Sequence, residues 1–154
     1  MYSNTFNAGG HEWSLQLSMG SVHSIKSRCF IDLGAPDHVE TVCALQADPY
    51  TFGKILWTLV KRQAETLGVT EDAFFDSIDG DVFAAAHRAL AEAFALWAPL
   101  ASREFIRQTF ENYQDAMQRV GAEILADMRS PAYSAAIAGT IEGGVKQLLA
   151  SAAG

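Results

Sequence analysis

A length of 154 residues, a net charge of −7 and only two cysteines already exclude several classes of protein. Apolar residues make up 49% of the chain and charged residues 19%, which is typical of a single globular domain and argues against a disordered chain. Lysine and arginine are scattered, so no basic segment offers a surface for nucleic acid.

The two cysteines, Cys29 and Cys43, form no CxxC motif and have no histidine at metal-ligand spacing. We expect two reduced, partly buried thiols and no metal site. The first ten residues lack the charged and apolar segments of a signal peptide, and no apolar run reaches about 18 residues. We therefore predict a cytoplasmic protein that does not enter a membrane.

The N-terminal segment has the alternation of a β-hairpin. Residues 2–6 and 12–18 are the predicted strands, and Asn7–Gly10 between them tolerates the positive φ of a tight reversal. The apolar side chains of the second strand fall on one face: Trp13, Leu15 and Leu17. Because two strands alone are marginally stable, helices must cover this face or another chain must extend the sheet.

Between residues 20 and 98, apolar residues recur at helical spacing and are separated by start and stop signals. Ser21, Asp37 and Asp48 are the predicted caps of three of these helices. The chain restarts at Thr70 and again at Asp79-Gly80-Asp81. Pro49 is a favourable first helical residue, and Gly68 and Pro99 end helices.

Two longer helices are predicted after Pro99, over residues 102–128 and 132–150. They carry a wide apolar face that a chain of this length does not fully bury. The spacing of Gly139 and Gly143 allows close approach of another helix, or it weakens or ends the last helix, and both interpretations stay open.

The predicted fold is α+β and predominantly α-helical, with an N-terminal β-hairpin followed by about six helices. We predict one domain over residues 1–154. It comprises the hairpin (1–18), a helical core (20–98) and C-terminal helices (102–150).

No motif for catalysis or metal binding is present. The acidic residues between 71 and 81 do not fit a calcium loop, because a loop starting at Asp76 would place His87 at its last ligand position. They suit the first turns of helices instead. The four histidines are far apart, and we expect them at the surface or half-buried: His11, His23, His38 and His87. We predict no catalytic residue, no cofactor and no metal.

Four phenylalanines are the candidate partner-binding residues: Phe74, Phe75, Phe83 and Phe94. Neighbours on a helix point about 100° apart, so Phe74 and Phe75 cannot share one buried face, and the other two lie at the edges of their stripe. We predict that some of the four stay exposed until a protein partner covers them. If all were buried, the binding face would lie in the helices after Pro99.

A series of short motifs runs through residues 11–98. They are Trp13-Ser-Leu-Gln-Leu17, Gly20-Ser-Val22, Ile31-Asp-Leu33, Asp48-Pro49, Ile55-Leu-Trp57, Gln63-Ala64, Gly68-Val-Thr-Glu-Asp-Ala-Phe74, Asp79-Gly-Asp81 and Ala89-Leu-Ala-Glu-Ala93. In this order they resemble small phage and prophage proteins of the tail-assembly-chaperone type. Similar proteins follow the last motif with a Phe-Phe-Pro-like ending, where this chain has Leu96-Trp-Ala-Pro99. The resemblance does not extend to residues 102–154.

The resemblance implies a non-enzymatic tail assembly protein in the host cytoplasm. Such a protein binds the tape-measure protein, or another tail protein, through apolar helical surfaces, and it is compatible with a homo-oligomer. Two alternatives remain open. One is a structural virion component, such as a tail or head–tail connector subunit. The other is a small enzyme whose pocket gathers His87 or another histidine with two acids.

Overall fold

A computed structural model describes residues 3–154, which form a β-hairpin followed by seven α-helices. This confirms the α+β, predominantly helical class. The strands are β1 (Thr5–Ala8) and β2 (His11–Ser14). The helices are α1 (Met19–Cys29), α2 (His38–Ala44), α3 (Pro49–Leu67), α4 (Glu71–Asp76), α5 (Gly80–Trp97), α6 (Arg103–Met128) and α7 (Pro131–Ala152). Short 3-10 turns precede α3 and α6.

The structure divides into two compact units. We call residues 3–111 the N-terminal unit and residues 112–154 the C-terminal unit. The boundary falls within α6, so one continuous helix belongs to both units.

The hairpin reverses at two glycines. Gly9 and Gly10 both have positive φ, +59° and +79°, which suits a two-residue turn between twisted strands. The reversal is shorter than predicted because Asn7 and Ala8 already pair with β2. Tyr2, where the predicted first strand began, lies outside the described residues.

Helices cover the apolar face of the hairpin. β1 packs against α5, and β2 packs against α3. Phe6 and Trp13 face each other across the strands and are buried, and the Trp13 Nε1–H donates to the Ala8 carbonyl at 3.1 Å. On the other edge of β2, the Gln63 side chain donates to the Glu12 carbonyl at 2.7 Å and accepts from the Ser14 amide at 3.2 Å.

Local capping chemistry sets most helix starts. Asp48, Thr70 and Asp79 each accept a hydrogen bond from a first-turn amide, and this confirms the predicted cap at Asp48. The prediction of Ser21 as the cap of α1 is wrong by one turn. Ser18 is the cap, and Ser21 is its partner in a capping box. Asp37 precedes α2, but its side chain makes no capping hydrogen bond.

α5 is the most deeply buried helix of the N-terminal unit. From Ala86 to Ala95 every residue is buried except Arg88. Five of these residues are alanines, whose small side chains let neighbouring elements approach closely. The same segment carries two buried polar side chains, those of His87 and Glu92, and each therefore needs a partner.

Candidate functional site: apolar helical surfaces

Two of the four candidate phenylalanines belong to the core. Phe74 and Phe94 are 0% and 1% exposed. The Phe74 ring lies between Trp13 and Trp57, with ring centroids 5.1 Å and 5.6 Å away. Packing on the hairpin and the neighbouring helices removes the rings of Phe74 and Phe94 from the surface, so the accessible candidates are the other two.

The other two candidates, Phe75 and Phe83, are half-buried and line an open groove of about 580 Å³. We call it the phenylalanine groove. Its apolar lining comprises Pro49, Tyr50, Gly53, Phe75, Ile78 and Phe83. A Cβ built on Gly53 would lie 2.7 Å from Phe75 Cε1, so the Phe75 ring rests directly on the backbone of α3. The partner-binding role of this pair stays a prediction.

A larger exposed apolar surface lies in the C-terminal unit. Every residue of α7 is exposed. Its large apolar side chains are between 40% and 71% exposed: Tyr133, Ile137, Ile141, Val145, Leu148 and Leu149. Only Glu142 and Lys146 are charged, and they form an ion pair of 3.0 Å. A helix that is apolar on most sides is normally enclosed by other helices, so α7 has the composition of a contact element.

α6 adds a narrower apolar stripe. Ile106 and Phe110 are buried in the N-terminal unit. Beyond them the stripe continues at alternating spacings of three and four residues through Tyr113, Met117, Val120 and Ile124, and the last three are about half exposed. This alternation is the signature of a coiled-coil seam. Sequence reasoning found the wide apolar face, but it named none of these side chains as a site.

The glycine pair of α7 does not end the helix. α7 continues past Gly139 and Gly143 to Ala152, so the interpretation in which they terminate it is wrong. Open space surrounds the position of a Cβ at both glycines. Contact with a helix from another molecule at these positions remains a prediction.

His87 is buried, although we expected it at the surface or half-buried. Its Nε2–H donates to the Val42 carbonyl at 2.9 Å, and its Nδ1 lies 3.2 Å from Gln46 Nε2, which identifies the neutral tautomer protonated on Nε2. The ring packs against Phe52 and Phe110. His87 therefore ties α5 to α2 inside the core.

Burial lowers the pKa of the His87 imidazole below its ordinary value of 6.5, and the hydrogen bond to the Val42 carbonyl offsets part of this effect. The unfolded chain then binds a proton more readily than the folded one. The free energy of unfolding should fall as pH drops below 6.5, by at most about 1.4 kcal/mol per pH unit from this group.

Urea unfolding between pH 7.5 and pH 5 measures this dependence. The slope of the free energy of unfolding against pH reports the difference in bound protons between the unfolded and the folded chain. His87→Gln should flatten the slope, whereas His23→Gln, at an exposed position, serves as the matched control. An unchanged slope in His87→Gln would contradict the assignment.

Both cysteines are free and buried. Burial raises the pKa of the Cys29 thiol, and it raises that of Cys43 to about 11. Both sulfurs are therefore protonated at neutral pH and are poor nucleophiles.

Among residues 3–154, no helix combines the length and the apolar character needed to cross a membrane. Comparisons with protein-family models, with curated proteins and with solved structures found no match to this chain.

Proposed function

We propose that this protein is a non-enzymatic assembly factor that binds an apolar, helical protein through α7 and the distal part of α6. The observation that carries the proposal is that every residue of α7 is exposed, in a helix of 22 residues with only two charged side chains. Exposed apolar surface of this extent marks protein interaction sites and promotes aggregation when it is left uncovered.

The energetics favour the use of both helices. Complete burial of one large apolar side chain contributes about 1.5–3 kcal/mol. The six large apolar side chains of α7, each about half exposed, would contribute roughly 4–9 kcal/mol, against an association cost of about 4–15 kcal/mol. Five further large apolar side chains, from α6, raise the total contribution of burial to roughly 8–16 kcal/mol. The five are Met117, Val120, Ile124, Leu125 and Met128.

The charge distribution is compatible with this role. The C-terminal unit holds four acidic and three basic side chains, a net charge of −1, so most of the chain's −7 lies before residue 112. Because the C-terminal unit is nearly neutral, it does not repel a charged partner electrostatically. The acidic N-terminal unit keeps the complex soluble.

The resemblance of residues 11–98 to tail-assembly chaperones supports a specific partner class. A tape-measure protein is long, helical and apolar, and it needs cover before the tail tube forms around it. By helix-in-groove contacts, α6 and α7 would provide that cover in the host cytoplasm.

Co-expression with a phage tape-measure protein tests the proposal. The triple variant Ile137→Ser, Ile141→Ser, Leu148→Ser should reduce co-purification by at least about tenfold, because it removes central contacts. Its melting temperature should stay close to that of the wild type, since these side chains are exposed.

Phe105→Ser is the matched control, because Phe105 is 71% exposed but lies in the N-terminal unit. Undiminished co-purification of the triple variant would show that α7 is not the contact surface. Absence of wild-type co-purification, together with intact tails after gene deletion, would refute the function itself.

A second candidate function is a structural virion component. The three–four spacing of the α6 stripe favours it, because that pattern also suits pairing with a second copy of the same helix. This candidate predicts a homo-oligomer of fixed size in light scattering, and the protein itself in purified particles by mass spectrometry.

A further inference from the structure

The phenylalanine groove is a second apolar surface, separate from the C-terminal unit. It lies where the start of α3, the end of α4 and the start of α5 meet. Its volume of about 580 Å³ is sufficient for one large side chain and its neighbours. The exposed Tyr50 stands at its rim, and Phe75 and Phe83 are half-buried in its wall.

The polar side chains in the wall already have structural roles. Gln46 contacts the His87 ring, and Asp79 accepts from the Val82 amide at 2.9 Å as the cap of α5. The groove therefore offers mainly apolar contact. Gly53 contributes to its shape, because only a residue without a Cβ leaves room for the Phe75 ring at its present position.

Acidic residues lie in the lining of the groove and next to lining residues in sequence. Asp79 lines it, and three further exposed carboxylates directly adjoin lining residues in sequence: Asp48, Asp76 and Asp81. One positive charge offsets them, since Lys54 Nζ lies 4.9 Å from the centre of the Tyr50 ring. A bound segment with positive charges beside its apolar anchor would complement this rim.

We propose that the phenylalanine groove binds a large apolar side chain of a partner protein, in a segment where lysine or arginine flanks that side chain. The apolar wall buries the anchor, and the rim carboxylates attract its flanks and set its orientation. This proposal goes beyond the contacts of α6 and α7 and does not depend on them.

The probe is a dye-labelled, alanine-based helical peptide with one central tryptophan flanked by lysines, titrated with the full chain and followed by fluorescence anisotropy. Two control peptides carry glutamate in place of the lysines or serine in place of the tryptophan. We expect the lysine peptide to bind at least about tenfold more tightly than either control, and more weakly as salt rises.

Protein variants locate the binding surface. Tyr50→Ser removes an exposed rim contact without opening the core. Asp79→Asn with Asp76→Asn removes two charges while an asparagine keeps the α5 cap. Each should weaken binding about three- to tenfold with an unchanged circular dichroism spectrum. Gly53→Ala should also weaken binding, because it displaces the Phe75 ring.

The triple α7 variant separates this proposal from the proposed function. It should bind the lysine peptide as the wild type does, so loss of tape-measure binding would leave this result intact. Equal affinity for the lysine and glutamate peptides, or wild-type affinity in Tyr50→Ser and Gly53→Ala, would overturn the assignment of the groove. Loss of peptide binding in the triple α7 variant would overturn it as well.

Discussion

Replacement of Phe74 by alanine is expected to lower the free energy of unfolding by about 3–5 kcal/mol. The ring is fully buried and packs edge-on against Trp13, with Trp57 on another side. Its removal would leave a cavity between the hairpin and α3, because two large indole rings cannot both collapse into the space. Urea unfolding followed by circular dichroism and tryptophan fluorescence measures the loss.

Phe75→Ala is the matched control, since it makes the same chemical change one residue further along α4. Phe75 is half-buried on the wall of the phenylalanine groove, so its replacement should cost less than about 2 kcal/mol. Equal losses in the two variants would show that burial does not distinguish these neighbouring rings.

Arg107→Ala is expected to destabilise the protein by about 3–5 kcal/mol, because it leaves the Glu92 carboxylate buried without its cation. Arg107 donates to Glu92 from Nε at 2.9 Å and from Nη2 at 2.5 Å, a bidentate ion pair between α5 and α6. Glu92 is only 5% exposed, so its carboxylate depends on the guanidinium to offset the cost of burial. Chemical unfolding of the full chain measures the effect.

Double substitution tests whether the cost comes from the unpaired charge. Glu92→Met combined with Arg107→Leu should recover most of the stability that Arg107→Ala loses, since apolar residues of similar size replace buried ion pairs at little cost. Glu92→Met and Arg107→Leu, each alone and in combination, form a thermodynamic cycle. Glu104→Ala is the control, because Glu104 is 81% exposed and 4.0 Å from Arg107, and its loss should change stability by less than about 1 kcal/mol.

The helix boundaries were predictable because capping depends on residues within a few positions of each other. Asp48, Thr70 and Asp79 each satisfy an amide three residues ahead. Ser18 and Ser21 show the limit of predicting a helix start from nearby residues alone. Both serines suit a cap, and only the three-dimensional arrangement shows that they form one capping box.

Which side chains are buried depends on contacts between distant parts of the chain, and local sequence patterns do not reveal these contacts. Residue spacing separated Phe74 from Phe75 by about 100° but could not say which of them faces the hairpin. The pairing of Glu92 with Arg107 and the burial of His87 against Phe110 likewise depend on how α5 and α6 pack. For α7, the low charge and the wide apolar face were the available signals of a contact helix, whereas the exposure of every one of its residues was visible only in the structure.

The hydrogen bonds from Gln63 to β2 have a consequence for aggregation. A strand at the edge of a sheet presents free amides and carbonyls that recruit strands from other molecules. Gln63 occupies the Glu12 carbonyl and the Ser14 amide, so a side chain of α3 closes this edge without a third strand. A chain that exposes so much apolar helix thus keeps the β2 edge of its short sheet from acting as a template for β-aggregation.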